Sequence, residues 1–140
     1  MDISQLSLDT ATLELLAGEL TLTNTTLNSG TVNITSGDAE IDLANIAFSI
    51  TTGDIDLENR QASDTTFELS MGDFSANAAT FKNDNTITMT TGEVDITLVS
   101  KDLKVVMTNL LGDADITSNL NQSSKNILTI DGNVGDITVE

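Results

Sequence analysis

Carboxylates are the side chains of this sequence best placed to do chemistry, and they recur beside glycine. The pairs are Gly18-Glu19, Gly37-Asp38, Gly53-Asp54, Gly72-Asp73, Gly92-Glu93 and Gly112-Asp113, with a variant at Gly132-Asn133. Further acids stand three residues after the glycine, at Glu40, Asp56, Asp95 and Asp115, and five after it, at Asp42 and Glu58. On an extended strand these odd positions share one outer face. The candidate binding face is therefore Glu19, Asp38, Glu40, Asp54, Asp56, Asp73, Glu93, Asp95, Asp113 and Asp115. Stacked parallel strands would repeat each acid at about 4.8 Å. Two such neighbours repel by about 0.9 kcal/mol in water before salt screens them.

Three readings of that face differ in chemistry. Calcium takes carboxylate oxygens at flexible geometry, so the array suits Ca²⁺ capture. A cationic peptide or polymer would answer the same charge. A plain solvated coat would keep a stack soluble and block edge-to-edge association. Neither a calcium-binding nonapeptide nor an EF-hand loop is present, so no residue is named as a metal ligand. Paired carboxylates can also serve glycosidases as acid and base. Pairs are inevitable among 22 acids, and nothing in the sequence singles one out, so the chain is expected to be no enzyme, with no cofactor.

Composition narrows the field further. The net charge is −17, which disfavours nucleic acid and direct docking on anionic lipid. Cysteine and histidine are absent, which removes disulfides, thiolate or imidazole metal sites and any triad that needs histidine. No apolar run reaches the length of a membrane-spanning helix, so this segment is not expected to insert directly into a membrane. The basic residues Arg60, Lys82, Lys101, Lys104 and Lys125 all follow their glycine at a distance, on another side of the unit. There they offset charge, or attract the acidic side of a neighbouring molecule.

The elements that must hold these acids are legible around the glycine. Two residues after it come Leu20, Ala39, Ile55, Phe74, Val94, Ala114 and Val134, and four after it Leu22, Ile41, Leu57, Ala76, Ile96 and Ile116. Apolar and polar residues thus alternate, as in a half-buried strand. Ahead of the glycine, pairs such as Val32/Ile34, Phe67/Leu69 and Ile87/Met89 make a second strand with the same inward face. A third apolar point lies nine residues after it, at Leu27, Ile46, Ala62 and Phe81, and drifts to Leu103 and Leu120 later. Glycine suits the corner between the strands because it tolerates positive φ. The acid beside it reads as a turn companion that the corner does not itself demand.

Glycines 16 to 20 residues apart over most of the chain mark stacked units. The expected fold is all-β: a single-stranded parallel β-helix, or β-solenoid, of about seven coils over residues 1–140, one domain. General crossover preference makes it right-handed. An antiparallel meander or sandwich is the competing architecture. Successive coils are expected to stack in chain order. The last units fray: Asn109 takes an inward slot, and Gly135 shifts the apolar set to Ile137 and Val139. Hydroxyls form another outer face at Thr35, Ser49/Thr51 and Thr88/Thr90, interrupted at Leu16, Leu110 and Ile130. The pattern already runs at Leu13 and still runs at Val139, as in a piece of a longer protein.

The phrases Ser36-Gly37-Asp38-Ala39-Glu40-Ile41, Thr52-Gly53-Asp54-Ile55-Asp56-Leu57 and Thr91-Gly92-Glu93-Val94-Asp95-Ile96 resemble the tandem coils of the bacterial DUF4097 adhesin-like family. Gly132-Asn133-Val134-Gly135-Asp136-Ile137 is also similar to a coil of bactofilins, which polymerise. The first resemblance implies a β-helical binding protein of the bacterial cell surface or envelope, without catalytic residues. Its partner would be a protein, a cationic peptide or polymer, or a cell-surface component. The alternatives are a self-assembling β-solenoid scaffold, associating through the solenoid ends, and a calcium-dependent binder.

Overall fold

Branched residues alternating with threonine, serine and acids favour extended backbone, because a branched side chain packs well on a pleated, half-buried surface. The computed structural model bears out the β-solenoid. It describes residues 1–5, 7–23, 26–41, 47–58, 61–132 and 135–140. Asp42, Ile46, Arg60, Asn133 and Val134, on which expectations fell, lie outside those residues.

Among the described residues sixteen strands follow one another. They are β1 (Asp2–Ser4), β2 (Ser7–Leu15), β3 (Leu20–Thr23), β4 (Thr26–Ser36), β5 (Ala39–Ile41), β6 (Ala47–Thr52), β7 (Ile55–Glu58) and β8 (Gln61–Ser63). There follow β9 (Thr66–Met71), β10 (Phe74–Lys82), β11 (Asp84–Thr91), β12 (Val94–Leu98), β13 (Lys104–Thr108), β14 (Ala114–Ile116), β15 (Ile127–Gly132) and β16 (Ile137–Val139). They form two sheets, and each corner glycine carries the chain from one sheet to the other. The order in one is β1-β3-β5-β7-β10-β12-β16-β14, with β8 beside β10; in the other it is β2-β4-β6-β9-β11-β15-β13. Pairing is parallel, as shown by β5 with β7, β10 with β12 and β9 with β11.

Between the sheets lies a narrow core. Ile55, Phe67, Phe74, Ile87 and Ile130 are wholly buried in it. The rings of Phe67 and Phe74 meet at 60° with centroids 5.0 Å apart, filling the middle of the stack. Ala62, Phe81, Leu103 and Leu120 close the third side as expected. Asn85 is a buried polar exception: its side-chain oxygen accepts from the Thr65 N–H and its amide donates to the Lys82 carbonyl. Those two bonds offset the cost of taking an amide out of water.

Chain order and stacking order part company at the end. The strands of the last coil, β15 and β16, lie between those of the fifth and the sixth. Backbone bonds run from Val94 N to the Asp136 carbonyl, and from Ile137 N to the Asp113 carbonyl. Every rung offers its neighbours the same row of donors and acceptors, so hydrogen bonding alone does not fix the succession.

Two local expectations are corrected with it. The last corner is Gly135-Asp136, not Gly132-Asn133: Gly135 has φ +131 and stacks on Gly92, while Gly132 pairs with Met89 inside β15. Gly132 therefore occupies an inward slot without a side chain. Asn109 does not point inward either. It is exposed, with φ +56, and donates to Asp131 Oδ1 at 2.7 Å. That left-handed residue shifts the alternation, so Leu110 turns towards Gly132; the two line an apolar cavity of about 10 Å³. Ile130 is fully buried and does not interrupt the outer hydroxyl columns.

Candidate acidic face and its corner ladder

The corner glycines form one column through the molecule. A Cβ on Gly37, Gly53 or Gly72 would sit 1.8 Å from the carbonyl oxygen of the glycine one coil below. The same contact would be 1.7 Å at Gly92 and at Gly112, and 1.6 Å at Gly135. No side chain fits there, and φ near +140° at Gly37, Gly53, Gly72 and Gly92 excludes one a second time. Gly18, the first of the column, has nothing within 4 Å of such a Cβ.

The acid beside the glycine has an architectural job that sequence reasoning missed. Asp54 Oδ1 accepts the backbone N–H of Asp73 at 2.8 Å, and Asp73 Oδ1 accepts that of Glu93 at 2.9 Å. Asp38 holds the N–H of Asp54 at 3.2 Å, and Asp136 that of Asp113 at 3.3 Å. Each of these carboxylates caps a corner N–H of the next coil, a charge-assisted bond of the stronger kind. All four acceptors are aspartates. The longer side chain of glutamate, found at Glu19 and Glu93, is not among them, and that preference was the available clue.

The structure exposes all ten residues of the candidate face. Its stacking order joins those beside the glycines into an unbroken series: Glu19, Asp38, Asp54, Asp73, Glu93, Asp136 and Asp113. Two residues further on the acids are diluted. The column there reads Asp2, Thr21, Glu40, Asp56, Ser75, Asp95, Thr138 and Asp115. Asp95 and Asp115, neighbours by chain order, are parted by Thr138 of the inserted coil.

The two columns run together in the first coils. Glu19, Asp38, Glu40, Asp54, Asp56 and Glu58 line a shallow concavity of about 390 Å³, completed by Ser75 and Asn77. Partial burial holds the Asp56 carboxyl above its ordinary range, and repulsion from Asp54, then Asp38, adds to this. A hydrogen bond from Ser75 pulls the other way, and Glu58 raises it slightly. Lys82, Lys101, Lys104 and Lys125 do not line the concavity. Among the described residues, no three acids converge as ligands for a metal ion. The acids run in columns instead.

The chain belongs to the Toastrack DUF4097 family, which matches residues 1–140. No curated protein and no solved structure matches it. As a Toastrack solenoid it is a repeat module, and an acid-lined concavity spans the first four coils of its face.

A second ladder, also unforeseen, secures the opposite side of the Toastrack coils. Asp64 and Asn83 sit at φ +54 and +57, a region that aspartate and asparagine tolerate better than most. The Asn83 amide donates to Asp64 Oδ2 at 2.8 Å and to Ser63 Oγ at 3.1 Å, and the first of these bonds holds the Asp64 carboxyl below its usual range. Asn126 accepts from Asn83 N at 3.1 Å and donates to the Asp102 carbonyl at 3.0 Å. Asp102 also accepts from the Asn121 amide at 2.8 Å, so the segment before the inserted coil is tied down.

Proposed function

We propose that this chain is an interaction module whose acid-lined concavity takes a cationic segment of a protein or polymer at the bacterial cell surface or envelope. One observation carries the reading. Asp38, Glu40, Asp54, Asp56 and Glu58 are gathered in one concavity that no lysine lines. The raised affinity of Asp56 for its proton, caused first by desolvation and then by repulsion from Asp54 and Asp38, agrees with that reading. A row of ammonium or guanidinium groups would relieve it without further ordering of the sheet, because both ladders already hold the coils. The compartment rests on the family resemblance alone and forms part of the proposal.

The test is a titration with a fluorescent oligolysine peptide, read by anisotropy at low and moderate salt. Binding should weaken as salt rises. A Glu40→Gln/Asp56→Asn/Glu58→Gln variant should bind at least about tenfold less tightly, while Lys82→Ala should bind as the parent does or better. Equal binding by the triple variant would sink the reading. Calcium titration of the same samples decides the calcium alternative: heat that disappears in the triple variant would replace the cationic partner with Ca²⁺.

A further inference from the structure

The acids of the third coil meet different company on their two sides. Towards the second coil, Asp54 lies beside Asp38, and Asp56 pairs directly with Glu40 where β7 runs along β5. Towards the fourth coil, Asp56 pairs with Ser75, which donates a hydrogen bond to it, and Glu58 pairs with Asn77. One junction therefore sets carboxylate against carboxylate in two columns. The other does so only at the corner, between Asp54 and Asp73, where a cap of 2.8 Å crosses it. The cap that Asp38 offers to the Asp54 N–H is longer, at 3.2 Å.

The junction of the second and third coils is also the less supported. No lysine or arginine precedes Arg60 in the sequence, and no lysine lines the concavity that these acids share. The bonds described for the second ladder, from Asp64 through Asn83 and Asn126 to Asp102, join the third and later coils only. On its other side the second coil is tied to the first by pairing that runs from Ser7–Thr26 to Leu15–Ile34.

Rungs that touch only their neighbours part first where the contact is weakest. We propose that this solenoid opens between its second and third coils, and that cations hold the junction shut. The opening is a rare excursion from the closed stack, in which the Gly37 and Ala39 N–H groups give up the Thr52 and Asp54 carbonyls. It bares the facing edges of β5 and β7. At a spacing of about 4.8 Å, repulsion between Glu40 and Asp56 multiplies the open population about fourfold in dilute salt. Screening removes that factor, so no ion need be bound. The junction crosses the acid-lined concavity, and a cationic occupant would shut it too. The opening itself belongs to the free chain and does not depend on that reading.

Amide hydrogen exchange on residues 1–140, followed by NMR without any partner, tests it. Gly37 and Ala39 report the junction, while Gly53 and Ile55, bonded to the Met71 and Asp73 carbonyls, report the next one. Raising sodium chloride from about 10 mM to about 1 M should slow exchange at Gly37 and Ala39 about threefold relative to Gly53 and Ile55. A Glu40→Gln/Asp56→Asn variant should slow the same two amides by a similar factor at low salt and abolish their salt response. Both side chains are exposed, so the amides of Ile87 and Val94 should exchange as in the parent. Junction amides that respond to salt no more than Gly53 and Ile55 overturn the proposal. So does a double variant that keeps the parent's salt response.

Discussion

The first five coils and the last two are made of the same rung but follow one another differently. In the first five, each coil lies on its predecessor, and corner glycines, aspartate caps and inward branched residues agree on a single succession. In the last two the glycine contact and an aspartate cap persist while the succession is exchanged: Gly135 stacks on Gly92, and Gly112 on Gly135. The lesson is that the corner specifies how two rungs meet, and not which two. The choice falls to what differs between rungs. Here that is an inward glycine at position 132, a left-handed Asn109, and a leucine beside it that covers the space left by the glycine.

The sharpest way to break the comparison is to put a methyl on the column. Gly72→Ala and Gly135→Ala should each destabilise the protein by more than about 4 kcal/mol, because a backbone carbonyl at the contact cannot step aside. Gly18→Ala should lose only about 1–3 kcal/mol, the strain of its positive φ. Gly132→Ala should stay within about 1 kcal/mol of the parent, since its nearest atom would be 3.9 Å away. Denaturant melts of the four variants settle which glycine is the corner, and equal losses at 132 and 135 would contradict the exchanged order.

Succession itself can be read by cross-linking, as the chain has no cysteine. Asp95→Cys/Thr138→Cys should oxidise readily and, if unstrained, add about 4 kcal/mol of stability for a loop of that length. Asp95→Cys/Asp115→Cys should remain reduced, because Thr138 lies between the two positions. A disulfide in the second variant would show the coils stacked in chain order.

Smaller effects separate the two jobs of the acids. Asp54→Ala should cost about 1 kcal/mol through loss of the cap on Asp73, and Asp54→Asn, which keeps an acceptor oxygen, clearly less. At Asp56 the sign reverses. Its carboxyl binds a proton more tightly in the folded chain than in the unfolded one, so its ionisation opposes folding. That penalty is absent below the ordinary carboxylate range and complete above the raised value. Asp56→Asn should therefore melt slightly higher than the parent at neutral pH, with the gain shrinking as the pH falls through the carboxylate range. A lower melting temperature at neutral pH would show the charge to be compensated.

Much of the architecture was legible because it is written in periodicity. Alternation around each glycine named Leu20, Leu22, Ile55 and Ile87 as inward, and all are buried. The exposed acids followed from the same count. What escaped has a common cause: it lies in relations between coils. The aspartate caps join residues 16 to 23 positions apart, and no local rule announces them. The ladder of Asp64, Asn83 and Asn126 was hidden for the same reason. The exchange of the last coils was harder still, because a repetitive sequence offers nearly equivalent surfaces to any neighbour. Gly135-Asp136 was visible as a second Gly-Asp pair, yet regular spacing favoured Gly132.

The exchanged coils also change how the molecule would bear load. In a stack that follows chain order, tension at one extremity peels the outermost rung and then the next, one row of hydrogen bonds at a time. Here Ile137–Val139 is clamped between β12 and β14. A pull on Glu140 must shear two rows together, with the sixth coil released as a consequence and not as the first step. The arrangement behaves as a tucked-in strap, and its grip is set inside the stack.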